Sequence, residues 1–278
     1  MSGWVPAGPA FLFCPADRPD RYAKAADRCD VVILDLEDAV APGAKAAARE
    51  AVLAQPLDPA RTIVRINALS TEYAEADLAA LAQTDYRVVM LAKAETAADV
   101  ARVADAGFGV LALLETPLGI LNAAEVAAAP GTVGLMWGAE DLVAGLGGAT
   151  SRFTDAEAGQ PVGKYRDVPR YARSAAVLAA AAYGRFMIDS VHLDIADTAG
   201  LRAEALDAVN LGLAGTACIH PSQVAVVREA YAPSDEQVAW AKKVLAAAEG
   251  NAGVFQLDGQ MVDAPVFRQA EAILRRVR

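Results

Sequence analysis

The chain has 278 residues, more than a minimal module needs and enough for one large α/β core. Apolar residues make up 55% and aromatic residues 6%, which excludes a disordered chain; 35 acidic residues against 25 basic ones, with no Lys/Arg cluster, exclude a surface built for nucleic acid. The N-terminus lacks a basic start and an apolar signal core, and no apolar run approaches the roughly 20 residues that span a bilayer, so the chain is expected in the cytoplasm with no membrane partner.

Short apolar runs that end in polar residues, each followed by an Ala-rich amphipathic stretch, recur along the chain as repeated βα units do. Strands are predicted over Phe11 to Cys14, Val31 to Leu36, Thr62 to Ile66, Val88 to Ala92, Val110 to Leu114, Val133 to Trp137, Phe186 to Val191 and Thr216 to Ile219. Helices are predicted over Lys45 to Ala54, Thr71 to Ala82, Ala97 to Ala104, Gly119 to Ala128, Tyr165 to Tyr183, Leu201 to Leu211 and Pro221 to Tyr231, with Thr71 and Thr96 as N-caps. Eight strands alternating with helices predict a closed (β/α)8 TIM barrel over residues 1–232, with an open doubly wound sheet as the competing arrangement. The loop from Gly145 to Gly163 is the longest connection without predicted structure and is read as a barrel-top loop. From residue 233 to 278 the rhythm changes to a C-terminal appendage: a helix opened by Pro233, Ser234 and Asp235 and running to about Glu249, a Gly-rich stretch from Gly250 to Gly253, a hairpin and a last helix from Ala264.

Active sites of such barrels form at the carboxyl ends of the strands, so polar residues there carry the most weight. That filter selects Asp17 and Arg18, then Asp35, Glu37 and Asp38, Arg65 and Asn67, Lys93 and Glu95, Glu115 and Thr116, Glu140 and Asp141, and Asp189, His192 and Asp194. Cys14, Cys29 and Cys218 stand far apart and the chain has two histidines, so a metal here would be held by oxygen. Glu115 and Asp141 follow apolar runs on neighbouring strands, and their carboxylates are expected to converge on magnesium, with manganese as its substitute. Arg65 lies inside the apolar run IVRIN, where a guanidinium needs an anion; a substrate carboxylate is one partner, and a salt bridge to Glu37 or Asp38 is the other. His220 is read as a loop residue. No G-x-G-x-x-G motif, P-loop lysine or nucleophilic serine elbow is present.

In order, FLFCPADRPDR, VVILDLEDAV, RTIVRINAL, ALLETPLGILNAAEV, GLMWGAEDL, IDSVHLD and CIHPSQ resemble the successive motifs of citrate lyase beta-subunit-like proteins in the HpcH/HpaI aldolase superfamily, nearly end to end. The resemblance implies a (β/α)8 barrel, a magnesium ion held by Glu115 and Asp141, an acyl-CoA thioester and a small keto acid as ligands, and a homotrimer or dimer of trimers. By the same carry-over Arg65 binds the keto-acid carboxylate, and Glu37 and Asp38 support the metal water and Arg65. Asp263, in GQMVDAPV, would reach a neighbouring subunit's active site as a proton-transfer group, with pairing to Arg268 as its structural alternative; the appendage would then act as a lid. Asp17, Arg18 and Lys93 are assigned to coenzyme binding. The expected reaction is magnesium-dependent cleavage or condensation of a 3-hydroxyacyl-CoA of the malyl-CoA, citramalyl-CoA or 3-hydroxy-3-methylglutaryl-CoA type, giving acetyl-CoA and a keto acid. Three alternatives stay open: an aldolase acting on free pyruvate, a citrate lyase beta subunit working on a citryl thioester in a complex, and a non-catalytic CoA or organic-acid binding protein.

Overall fold

The computed structural model describes residues 4–248 and 253–277. Its eight parallel strands are β1 (Ala10–Pro15), β2 (Val31–Asp35), β3 (Thr62–Ile66), β4 (Val88–Leu91), β5 (Gly109–Leu114), β6 (Thr132–Trp137), β7 (Phe186–Asp189) and β8 (Gly215–Cys218). They pair in chain order and β8 closes on β1, so the sheet is a closed barrel and the doubly wound alternative is set aside. Each predicted strand is present, most a residue or two shorter or longer at an end.

Helices fill the connections: α1 (Tyr22–Arg28), α2 (Lys45–Ala54), α3 (Ala74–Leu81), α4 (Ala97–Asp105), α5 (Pro117–Leu121), α6 (Ala123–Ala128), α7 (Ala139–Gly145), α8 (Asp167–Ala182), α9 (Thr198–Asn210) and α10 (Pro221–Tyr231). Thr96 caps α4 in a full capping box with Asp99. Thr71 caps nothing: its hydroxyl turns back to the Ala68 carbonyl at 2.7 Å, and the helix begins three residues later. The single helix predicted from Gly119 is two, α5 and α6, broken at Asn122. The connection after α7 has more structure than expected, for Arg152 bridges to Tyr165 and Arg166 ties Glu157 and Thr150.

Strand alternation explains both the core and the site. Val31 and Ile33 on β2, Ile63 on β3, and Leu111 and Leu113 on β5 point inward and pack with Phe11, Met90, Met136 and Ile188. One more step of two residues along the same faces puts Asp35, Arg65 and Glu115 at the top of that apolar plug. Register completes the placement, since Asp35 stands opposite Arg65 and Leu114 opposite Trp137.

The chain divides into two compact units, 1–227 and 228–278, the division falling within α10. In the second, α11 (Asp235–Ala248), the hairpin β9 (Phe255–Leu257) and β10 (Gln260–Val262), and α12 (Ala264–Leu274) enclose their own core of Ala241, Val244, Val262 and Ala270 against Trp240, Phe255 and Phe267. The expected end of α11 at Glu249 and the Gly-rich residues up to Ala252 lie outside the described residues. Among the described residues, no helix is long and apolar enough to cross a membrane.

Candidate active site

Arg65 is the pivot of the polar cap. Its Nε and Nη2 donate to the two oxygens of Asp35 at 2.7 and 2.6 Å, a bidentate pair dictated by the β2/β3 register. Nη1 lies 3.0 Å from Glu37 Oε2, and the guanidinium sits over the Phe13 ring at 4.9 Å. Burial opposes its charge, yet Asp35, Glu37 and Glu115 hold it protonated more firmly than an ordinary arginine. The anion that the run IVRIN demands is thus supplied first by Asp35, which the sequence reading did not name as its partner. Asp35 engages only one side of the guanidinium fork, and N–H groups of Nη1 and Nη2 remain for a second anion.

Glu37 is buried, at 6% exposure. Its Oε1 takes a 2.5 Å hydrogen bond from Lys93 Nζ. Its Oε2, although beside Arg65, receives no hydrogen bond, because the guanidinium N–H is not aimed at it. Burial pushes the Glu37 carboxyl up from the usual range against the pull of Arg65 and Lys93. Behind it, Lys45 from α2 donates to the carbonyls of Leu36 and Glu37 at 2.7 Å each and to Asn67 at 2.8 Å, fixing the β2 loop. Lys45 was not foreseen, since nothing in an Ala-rich helix marks a lysine whose ammonium will be buried.

Glu115 is 2% exposed and its pKa is pushed up to about 8, first by burial and then by the charges of Asp141 and Glu37. The Lys93 backbone N–H donates to its Oε1 at 3.0 Å. On its other side stands Gly138: a Cβ there would lie 2.8 Å from both Glu115 Cβ and Oε2, so the absence of a side chain lets this carboxylate take its place. Gly138 was also missed, although its position directly after the apolar strand run was visible. Asp141 lies in the first turn of α7 and is more exposed than Glu115. Its Oδ1 is 3.3 Å from Lys93 Nζ, Glu115 Oε1 is 3.8 Å from the same atom, and Asp38 Oδ2 is 4.0 Å away.

The structure therefore gathers Glu37, Asp38, Arg65, Lys93, Glu115 and Asp141 at one point above the barrel. Asp17 and Arg18 lie beyond β1, where Arg18 grips Asp20 with two 3.0 Å hydrogen bonds at the surface. Asp263 belongs to the second unit, where it caps α12 by accepting from the Val266 N–H at 3.4 Å; it does this in place of the Arg268 pairing considered above. Among the remaining strand-end residues, Asn67 and Asp77 form a buried support, Thr116 caps α5, Glu140 accepts from Ser151, and Asp194 caps a turn. Asp189 and His192 belong to a second network with Trp137, Arg173, Glu204 and Arg152. His220 bonds locally with Ser222, as a loop residue would.

Among the described residues no three His, Cys, Asp or Glu side chains form a ready metal cage. Two carboxylates, Glu115 and Asp141, that converge on one cationic position suit a hard divalent cation that keeps sites for water and substrate.

Known proteins share this architecture. The structure of the protein CitE from Mycobacterium tuberculosis in complex with magnesium, acetoacetate and coenzyme A is similar to this chain with a TM-score of 0.89 and 57% identity, over 97% of this chain and 98% of that one. A citrate lyase subunit beta-like protein of the same organism is 57% identical over 270 residues, 97% of this chain and 96% of the relative. An L-malyl-CoA/beta-methylmalyl-CoA lyase of Cereibacter sphaeroides is 34% identical over 299 residues, 95% of this chain and 93% of the relative. Residues 10–221 match the family model for HpcH/HpaI aldolase/citrate lyase, and the chain belongs to that family, which includes carbon–carbon lyases.

Proposed function

We propose that this chain is a magnesium-dependent carbon–carbon lyase that splits a 3-hydroxyacyl-CoA into acetyl-CoA and a small keto acid, or joins them in reverse. The observation that carries the reading is the convergence of Glu115, Asp141 and Glu37 around one cationic position beside a buried arginine. The ligands of the mycobacterial relative, magnesium with acetoacetate and coenzyme A, support it.

Glu115 and Asp141 would hold the ion, which when bound supplies a Lewis acid for the hydroxyl and carbonyl oxygens of the substrate. Arg65 offers its remaining N–H groups to the substrate carboxylate, and Asp35 keeps the guanidinium from turning away. Glu37 and Asp38 would support the metal's water and Arg65, Glu37 through its contact with the guanidinium and Asp38 as negative charge at the rim of the site. The bond that breaks joins the hydroxyl-bearing carbon to the carbon next to the thioester; its electron pair remains on the latter as the acetyl-CoA enolate. The hydroxyl proton is lost as the keto acid's carbonyl forms, and a proton returns to the enolate carbon. Asp263, presented by a neighbouring copy in a homotrimer or dimer of trimers, is our choice for that transfer, with residues 233–278 acting as the lid. Asp17 and Arg18, at the rim of β1, would contact the coenzyme; Lys93, expected with them, turns its ammonium toward the carboxylates of the site.

The test is incubation with magnesium and a panel of 3-hydroxyacyl-CoA thioesters, following acetyl-CoA and keto-acid release. Cleavage of one thioester, lost in Glu115→Ala and in Asp141→Ala, supports the reading and names the substrate. Coenzyme binding without turnover sinks it in favour of a binding protein, and turnover only with an acyl-carrier partner would identify a citrate lyase subunit.

A further inference from the structure

Lys93 differs from the rest of the site in its backbone. Alternation along β4 sends Met90 into the barrel, and two residues on would send Ala92 the same way, leaving Lys93 to point outward. Residue 93 instead has φ +51°, in the left-handed region that a long side chain rarely adopts. The turn aims both ends of the residue at the acidic cluster. Its N–H fixes Glu115 Oε1, and its ammonium lies 2.5 Å from Glu37, 3.3 Å from Asp141, 3.8 Å from Glu115 and 4.0 Å from Asp38. The side chain is one-third exposed, so it has a route out toward solvent.

An ammonium ringed by carboxylates meets the same electrostatic demand as a hard cation, but with one charge where the cluster calls for two. We infer that Lys93 is a built-in counter-cation: in the metal-free protein its ammonium stands between Glu115 and Asp141 in place of the divalent ion, and the ion must displace it to bind. This inference rests on Glu115 and Asp141 being the metal ligands. Lys93 is then a positioning residue that holds the metal-free site together and sets metal affinity below what the carboxylates alone would give.

Removing the charge should tighten metal binding, an outcome that general damage to the fold does not produce. Even at the dielectric of water, giving up two carboxylates within about 4 Å costs the ammonium enough for a change of about tenfold or more in the Kd of the ion that displaces it. The experiment uses the full chain, freed of metal, and follows free Mn2+ by its magnetic resonance signal while the protein is titrated, together with thermal melts with and without Mg2+. Lys93→Met is expected to melt lower than wild type without metal, to bind Mn2+ about tenfold or more tightly, and to gain more from Mg2+. Lys93→Arg, which keeps the charge, should stay within about threefold of wild type. If Lys93→Met does not fold metal-free, chelator competition from the metal-loaded protein gives the same ratio. Equal or weaker Mn2+ binding by Lys93→Met overturns the inference. Wild type that binds no Mn2+, or that binds it no better than Glu115→Ala, instead overturns the metal-site reading beneath it.

Discussion

Two buried polar networks belong to the barrel, and they differ in how their charges are met. In the network of β6, β7 and α9, the carboxylates have committed donors. Asp189 takes Trp137 Nε1 at 2.7 Å and a fork from Arg173, and Glu204 takes Arg152 and His192. Although burial pushes Glu204 up, His192 and Arg152 hold it below the usual carboxylate range. In the network of β2 to α7, Asp35, Glu37, Asp38, Glu115 and Asp141 gather around Arg65 and Lys93, Glu37 Oε2 has no hydrogen bond, and Glu115 is pushed up to about 8. Each network holds one buried side-chain atom without a hydrogen bond, His192 Nε2 in the first and Glu37 Oε2 in the second, so the contrast lies in the carboxylates: those met by committed donors build structure, and those crowded together call for a cation.

The two networks differ most in what their arginines do. Arg65→Met should destabilise the protein by about 3–5 kcal/mol, since it leaves Asp35 and Glu37 buried without their cation, and should abolish turnover. Arg173→Met should cost about 3 kcal/mol by stranding Asp189, yet leave kcat/KM within a few-fold of wild type in protein that remains folded. Chemical denaturation with steady-state kinetics on both variants checks the contrast; equal kinetic losses would erase the distinction.

Gly138→Ala should cost about 1–3 kcal/mol as the new methyl pushes against Glu115, and metal affinity should fall with it. Calorimetric metal titration of the folded variant measures this, and unchanged affinity would mean that Glu115 has room to move. Next in size is a pH effect. The folded pKa of Glu115, about 8, lies above its ordinary 4.5, so its contribution to stability is complete below pH 4.5 and is lost as pH rises through 8. Metal-free wild type should lose melting temperature between pH 5 and 8.5 more steeply than Glu115→Gln, and parallel profiles would contradict that assignment. The smallest stability effect belongs to Asp263→Asn. Asparagine caps a helix about as well as aspartate, so the melting curve should barely shift while kcat drops if the carboxyl moves a proton. Full activity in this variant would end the proposed role of Asp263.

Much of the site could be read from the chain because period-two alternation carries the inward face of a strand from apolar plug to polar cap. Arg65 announced itself by interrupting the apolar run IVRIN, and Glu115 by ending the run VLALL. Less could be read where the backbone departs from its period. The short helices α1 and α7 went unpredicted, and α7 gives Asp141 its position in a first helical turn. The hydrogen bonds of Arg18 to Asp20 are likewise set by local geometry that a strand-end position does not carry.

The order of residues carries the barrel, its eight strands and the level at which acids and arginine gather, because alternate burial along a strand is written directly in that order. Which charge meets which is settled only in the closed fold. The β2/β3 register gave Arg65 to Asp35, the space at Gly138 admitted Glu115, and one left-handed residue swung Lys93 into the carboxylates. Coulomb energy depends on distances of a few ångströms between strands far apart in the chain, and those distances exist only once the barrel has closed.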